Sequence, residues 1–488
     1  MRATAGVAAL GLAALFYFHL GAGLTLELTD EGHLANLSWR LAEGGLPHRD
    51  WQTLYPPSVF VLQGALLRWV GTDLAVLHAA LTVAEVLIVL LVFGLARRVA
   101  GRPAALLAWV PLVIIWGTPL WIFDTPYPNH YATLCTLAAL AILLASRGTA
   151  RHAFAAGLCL GLATGFKQTT GVVAYCAVLW FFLYERAQLP TALRLDGTAL
   201  ALGRWVRGAA IAATAFLATA YLLRMPHAWT TAALLTPLLT TAALLARREW
   251  RQPPAPAQVA NSLRQAAATT AGLAVAPGLV VVWYWRAGAL AALASDTLVD
   301  LPQKFTWFTP FPTPSPGTWA LGAGLVALWT ALSTAPRRVG HAWVVAALIG
   351  VGLFAVGAGT ASGLSSLGGS TIGAVSGLLA LAIIVLVWAT LPALFPLQAP
   401  GAGRAAADDR RPLALVLFAA AWSLLLLQPA ADLLHVLMVS PIFAVLFAYH
   451  LDRLLASPTR RRAAAAGLFA SALVAATAAP FALTLVRA

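Results

Sequence analysis

Asp30-Glu31-Gly32-His33, followed by Leu46-Pro47-His48-Arg49-Asp50 and Tyr55-Pro56-Pro57, is the stretch on which the reading of this chain turns. It separates two long apolar runs and gathers acids, Arg40, Arg49 and two histidines in one loop. Only 17 of the 488 residues are Asp or Glu. A chain so poor in carboxylates has little physical reason to collect them at a membrane surface unless they carry out chemistry.

Outward from that loop the chain is 60% hydrophobic and 10% charged, against about 25% charged in soluble domains. Apolar runs recur near 5–26, 74–95, 104–122, 131–146, 153–166, 171–185, 208–224, 228–246, 268–286, 318–334, 341–360, 372–395, 412–427, 433–450 and 463–485. Each is about long enough to cross a ~30 Å hydrocarbon core. The shorter segment 56–70 reads as interfacial. The expected fold is an all-α polytopic membrane bundle of about 13–15 transmembrane helices, one integral domain over 1–488 with no separate soluble part. The run after Met1-Arg2 reads as a retained first helix rather than a cleaved leader. Cys135, Cys159 and Cys176 fall inside apolar runs and read as small core residues, without metal spacing or a disulfide framework.

The formal charge of +14 does not point to nucleic acid. The basic residues form short clusters between apolar runs, the pattern of the positive-inside rule. With the N-terminus in the cytoplasm and the spans alternating, 23 of the 31 Lys and Arg fall on the cytoplasmic side. The other face receives 8: Arg40, Arg49, Arg68, Lys167, Arg224, Arg286, Lys304 and Arg487. The 27–73 segment is then the first extracytoplasmic loop of an inner-membrane protein. Both lysines of the chain share that face, and Lys167, in Gly165-Phe166-Lys167-Gln168-Thr169-Thr170-Gly171, occupies a turn at membrane depth. A charge there is costly and marks function.

Three further segments shape the expectation. The stretch 247–267 reads as a flexible linker from its Arg and Pro content. The extracytoplasmic loop 296–317, with Pro302, Pro310, Pro312, Pro314 and Pro316, excludes helix and either covers a cavity or forms a stiff interfacial loop. The stretch 350–378 is rich in Gly and Ser and reads as closely packed or re-entrant helices.

Candidate chemistry lies in three places. A helix from about Asp30 to Glu43, stopped by Gly44-Gly45, sets Leu34, Leu37 and Leu41 on one face and is expected to lie flat on the membrane. Asp30 and Glu31 sit at its dipole-favoured N-terminus, where an ordinary acidic cap is the competing explanation. A second acid stands in Phe123-Asp124-Thr125-Pro126-Tyr127-Pro128-Asn129-His130, which reads either as a site acid or as a helix-end carboxylate facing water. A third signal is Asp432 with His435, spaced i and i+3 on a helix start, open to a capped helix or a substrate contact. Asp30, Asp124, His33, His130 and His435 are ligand types for Mn²⁺ or Zn²⁺. No local pair such as HExxH supports such a site, so no metal or other cofactor is expected.

The pattern Asp-Glu-Gly-His…Gly-Gly-Leu-Pro-His-Arg-Asp…Tyr-Pro-Pro over 29–60 resembles the first extracytoplasmic loop of the GT-C glycosyltransferases. These are the polyprenyl-phosphate-sugar-dependent enzymes of the dolichyl-phosphate-mannose–protein mannosyltransferase type, family 39. Weaker resemblances run through 120–131, 157–171 and 428–441, and His48 stands where the family commonly has Tyr. The resemblance implies a GT-C-like fold, Asp30 as catalytic base and Asp124 as a second site acid. Glu31, His33, Arg40, Arg49, Asp50, Tyr55, His130, Lys167, Gln168, Asp432 and His435 are the expected substrate contacts.

Such an enzyme needs a carboxylate to take the acceptor's proton and a cation to meet charge building on the leaving phosphate, for which Lys167, Arg49 and Arg40 are candidates. A single displacement predicts inversion. Expected partners are a polyprenyl-phosphate-linked sugar, a glycan, lipid or protein acceptor, and the bilayer, with no nucleic acid. The alternatives are a transporter or flippase of lipid-linked saccharides, expected to carry mid-span charges and internal repeats, and a catalytically inactive relative that binds lipid phosphate.

Overall fold

The structure, a computed structural model, describes residues 2–21, 30–117, 125–145, 148–185, 197–223, 228–299, 383–384, 386–395, 410–427 and 433–455. All regular elements among them are helical. The first eight long helices are α1 (Arg2–Gly21), α2 (Asp30–Ala42), α3 (Ser58–Trp69), α4 (Leu74–Val99), α5 (Arg102–Trp116), α6 (Pro128–Ala145), α7 (Ala150–Phe166) and α8 (Gln168–Tyr184). They are followed by α9 (Gly197–Leu223), α10 (Ala228–Arg251), α11 (Pro256–Arg286), the short α12 (Leu290–Ala294), α13 (Arg411–Ser423) and α14 (Leu433–Leu455). Leu74–Val99, Pro128–Ala145, Pro256–Arg286 and His435–Arg453 are long and apolar enough to cross a membrane. Ala5–Leu20, Arg102–Ile114, Gln168–Tyr184 and Arg411–Leu427 are shorter apolar helices. The expected spans 318–334, 341–360 and 463–485 lie outside the described residues, as does 350–378.

The chain divides into two compact units. The first comprises Met1–Leu91, Ile115–Tyr175 and Gln265–Phe308. Here α2 begins with Asp30 and Glu31 in its first turn, where the dipole favours carboxylates. It ends in a Schellman motif. The Gly45 amide donates to the Arg40 carbonyl and the Gly44 amide to that of Leu41, with Gly44 at φ +101°. α3 opens after Pro56-Pro57, where missing amides cost nothing, and at 12 residues it is too short to span. Leu34 and Leu37, on the apolar face of α2, are buried within the protein.

In the same unit α7 and α11 approach at backbone distance through glycines. A Cβ on Gly157 would meet the Thr269 carbonyl, one on Gly161 would meet Leu273, and one on Gly272 would meet the Phe154 carbonyl. Thr269 Oγ1 donates to the Ala153 carbonyl at 3.1 Å. Small residues one turn apart permit this in an apolar medium, where packing and hydrogen bonds drive association. Between α7 and α8 a single extended residue, Lys167 (φ −147°, ψ 106°), breaks the helix.

The second unit comprises Val92–Ile114, Cys176–Arg264 and Thr309–Ala488. Its polar hub is Arg207, 1% exposed. The guanidinium donates to Glu249, to Ser262 Oγ and, at 2.6 Å, to the Leu183 carbonyl. A buried guanidinium persists only when its donors are satisfied this fully. The hub joins α9, α10 and α11, and it overturns the flexible linker expected over 247–267. α10 runs to Arg251 and α11 starts at Pro256, with prolines 253 and 254 in the four-residue turn and Pro256 at the first helical position. α9 likewise starts at Gly197, ahead of the span expected from 208. Trp180 donates to Thr214 Oγ1 at 2.8 Å and packs edge-on against Trp422 at 5.1 Å.

Gly161→Val should overpack the α7–α11 seam and cost about 1–3 kcal/mol, read as a lowered thermal midpoint in detergent. Gly278→Ala, where an added Cβ meets open space, should leave the midpoint unchanged or slightly raised.

Candidate functional site

The site in the first unit is assembled around Gln63, which is fully buried on α3. Its side-chain oxygen accepts from Ser38 Oγ of α2 at 2.9 Å, and its Nε2 donates to the Pro126 carbonyl at 2.8 Å. Gly64 permits the α2–α3 approach, since a Cβ there would lie 2.7 Å from the Ser38 carbonyl. With Pro126 tied in, the adjacent Tyr127 hydroxyl donates to Asp30 Oδ2 at 2.6 Å. Tyr127 is 3% exposed, whereas Asp30 is exposed. An exposed acid is thus held by a buried phenol. Tyr55 lies within electrostatic reach. Burial first, and the Asp30 charge second, push its phenol up to about 12.

Behind Asp30 stand two buried acid–histidine pairs. Glu31 is hydrogen-bonded to His78 Nε2 of α4. His130 Nε2 lies 3.7 Å from Glu85 Oε1, also on α4, and the Trp116 ring meets the imidazole edge-on at 5.5 Å. Glu31 and His130 are both 0% exposed. Neither residue is exposed to solvent, and the His130 backbone amide donates to the Tyr127 carbonyl at 3.2 Å. His78 and Glu85 were not singled out in the sequence. The signal was present: Glu85 is a carboxylate within an apolar run, and His78 precedes it by seven residues, on the same helix face.

The cations are engaged to different degrees. Arg49 grips Asp50 with two hydrogen bonds of 2.8 Å. Asp50 also accepts the Leu46 amide at 2.7 Å. The Arg49 hydrogen bonds, then the Leu46 amide, hold the Asp50 carboxyl down to about 2. The exposed Arg40 guanidinium lies 4.6 Å from the Trp51 ring centroid, a cation–π arrangement. Lys167 and Gln168 are half-buried at the α7–α8 break. Gly165 abuts Ser58 at the start of α3, and Phe166 meets Tyr131 at 5.3 Å. The starts of α2, α3 and α6 and the end of α7 thus converge at one end of the unit. His33 is exposed on α2. Asp124 and Asp432 lie outside the described residues, and His435 is half-buried at the start of α14, in the second unit. Among the described residues no group of three or more His, Cys, Asp or Glu is placed to hold a metal ion.

No family model and no curated protein matches the chain. Among solved structures it is similar to the Archaeoglobus fulgidus oligosaccharyltransferase. The form complexed with Zn and sulfate gives 14% identity and a TM-score of 0.39, covering 97% of this chain and 52% of that one. The form tethered to an acceptor peptide containing the NVT sequon gives 12%, 0.41, 97% and 54%. AglB from the same organism, with an inhibitory peptide and a dolichol-phosphate, gives 16%, 0.41, 97% and 55%. The chain spans about half the length of these proteins. Likeness at this level transfers no residue role.

Two measurements probe the geometry. The Asp50 carboxyl should titrate near 2 by carbon NMR and rise toward 3.8 in Arg49→Ala. Its folded value lies below the ordinary one, so the pair's contribution is complete above the ordinary value and is lost as pH falls through about 2. Glu31→Ala removes the buried acceptor of His78 Nε2 and should cost about 1–3 kcal/mol in thermal unfolding, while Glu31→Gln, which keeps an acceptor, should recover most of it.

Proposed function

We propose that this chain is an inverting glycosyltransferase of GT-C type, moving a sugar from a polyprenyl-phosphate donor to an acceptor hydroxyl on the extracytoplasmic face of the inner membrane. The observation that carries the reading is Asp30. It is exposed at the start of α2 and oriented by the buried Tyr127 hydroxyl at 2.6 Å, in the loop whose sequence resembles the family's first extracytoplasmic loop.

Tyr127 donates to Oδ2 and restrains the carboxylate at the exposed start of α2. Asp30 takes the proton from the acceptor hydroxyl as that oxygen attacks the anomeric carbon. The bond from that carbon to the phosphate oxygen breaks, and polyprenyl phosphate leaves. Because the phosphate needs no protonation, a general base and a cation suffice. Lys167 and Arg40 serve as the cations, and Arg49 is ion-paired with Asp50. As an ammonium at the α7–α8 break, Lys167 suits a phosphate as a compact point charge. Asp124 is assigned as the second acid, Tyr55, His33 and Gln168 as donor or acceptor contacts, and Asp432 and His435 as contacts from the later segment. No metal is assigned. A glycan, lipid or protein hydroxyl is the acceptor class.

Asp30→Asn should lower transfer by about 10²–10⁴-fold in a membrane assay with radiolabelled polyprenyl-phosphate sugars while donor binding is retained. Equal turnover in the two proteins would remove Asp30 from the mechanism.

A further inference from the structure

We propose that His48 and Asp296, 248 residues apart in sequence, form a clasp that holds the 46–55 segment in the conformation the site requires. His48 Nδ1 donates to Asp296 Oδ2 at 2.9 Å, and the two residues are 5% and 4% exposed. The same carboxylate oxygen accepts the Thr53 amide at 3.4 Å. The Tyr284 hydroxyl donates to the Pro47 carbonyl at 3.0 Å, and its ring lies 5.9 Å from the imidazole. Residues 47, 48 and 53 are thereby fastened to the end of α11 and to the π-helical turn Ser295–Val299, an element that recurs at functional sites.

The backbone of His48 supports this reading. Its φ is +65°, and among the described residues no other non-glycine has a positive φ. Left-handed backbone is disfavoured for most residues, and such outliers persist where their surroundings over-determine them. Here the imidazole is buried against its carboxylate, and the His48 amide donates to the Trp51 carbonyl at 2.8 Å. Within the turn so held lie the Arg49–Asp50 pair and Trp51, on which Arg40 stacks. Four residues beyond Trp51 is Tyr55, within electrostatic reach of Asp30. His48 and Asp296 touch no reacting atom; they are positioning residues. The clasp stands on geometry, and its bearing on sugar transfer rests on the function proposed above.

Hydrogen–deuterium exchange of the intact protein in nanodiscs tests the clasp. Amides of 46–55 should exchange at least ten-fold faster in His48→Gly, which accepts the positive φ but lacks the imidazole, and in Asp296→Ala. The double variant should be no faster than either single one. His48→Asn, which tolerates the backbone and can donate to Asp296, should exchange close to wild type, and residues 30–42 should be unchanged throughout. If Asp296→Ala does not fold, the two His48 variants carry the test. His48→Gly exchanging as slowly as wild type would overturn the clasp. Transfer measured alongside should fall with faster exchange and return in His48→Asn; undiminished transfer in a loosened loop would overturn the positioning role. Wild type without transfer, but with the expected exchange pattern, would instead sink the glycosyltransferase reading and leave the clasp standing.

Discussion

One amide does most to place the site. Gln63 accepts from α2 and donates to the segment ahead of α6, and both partners are buried with it. In an apolar interior an amide that lost either partner would strand polar atoms at a cost of about 1–3 kcal/mol, so the two segments are held in register. Asp30 and Tyr127 meet because of that register.

The same logic extends to the rest of the unit. Its helices are joined by polar pairs set in grease, among them Glu31 with His78 and Thr269 with the Ala153 carbonyl. Each is worth little in water and much more where the alternative is an unsatisfied group. In the second unit Arg207 plays that part with Glu249, Ser262 and Leu183. Glycines supply the complementary device between α7 and α11, letting backbones approach where side chains would separate them.

Local rules were legible in the sequence. The acidic first turn of α2 and its glycine stop, the break at Lys167, and the apolar runs that became α4, α6, α7 and α14 all follow from period, capping and length. The contacts Asp30–Tyr127, Ser58–Gly165 and Pro47–Tyr284 bring the first loop, the segment before α6, the α7–α8 break and the end of α11 together. Partnerships were not legible. Nothing local marks Gln63 as different from other amides, and His48 and Asp296 are 248 residues apart. The 247–267 segment was misread for the same reason. Its Pro and Arg content matches a linker, and only the distant Arg207 reveals that Glu249 and Ser262 are anchored inside helices.

The central claim is that Asp30 faces the acceptor oxygen that attacks the anomeric carbon of a lipid-linked sugar. Cryo-electron microscopy of the protein with a non-transferable polyprenyl phosphonate sugar tests it most directly. The anomeric carbon is predicted to face the Asp30 carboxylate across a gap that admits the acceptor oxygen, with the phosphonate on the opposite side of that carbon and its oxygens against Lys167 or Arg40. A phosphonate seated away from the start of α2, with Asp30 facing neither sugar nor acceptor, would contradict it.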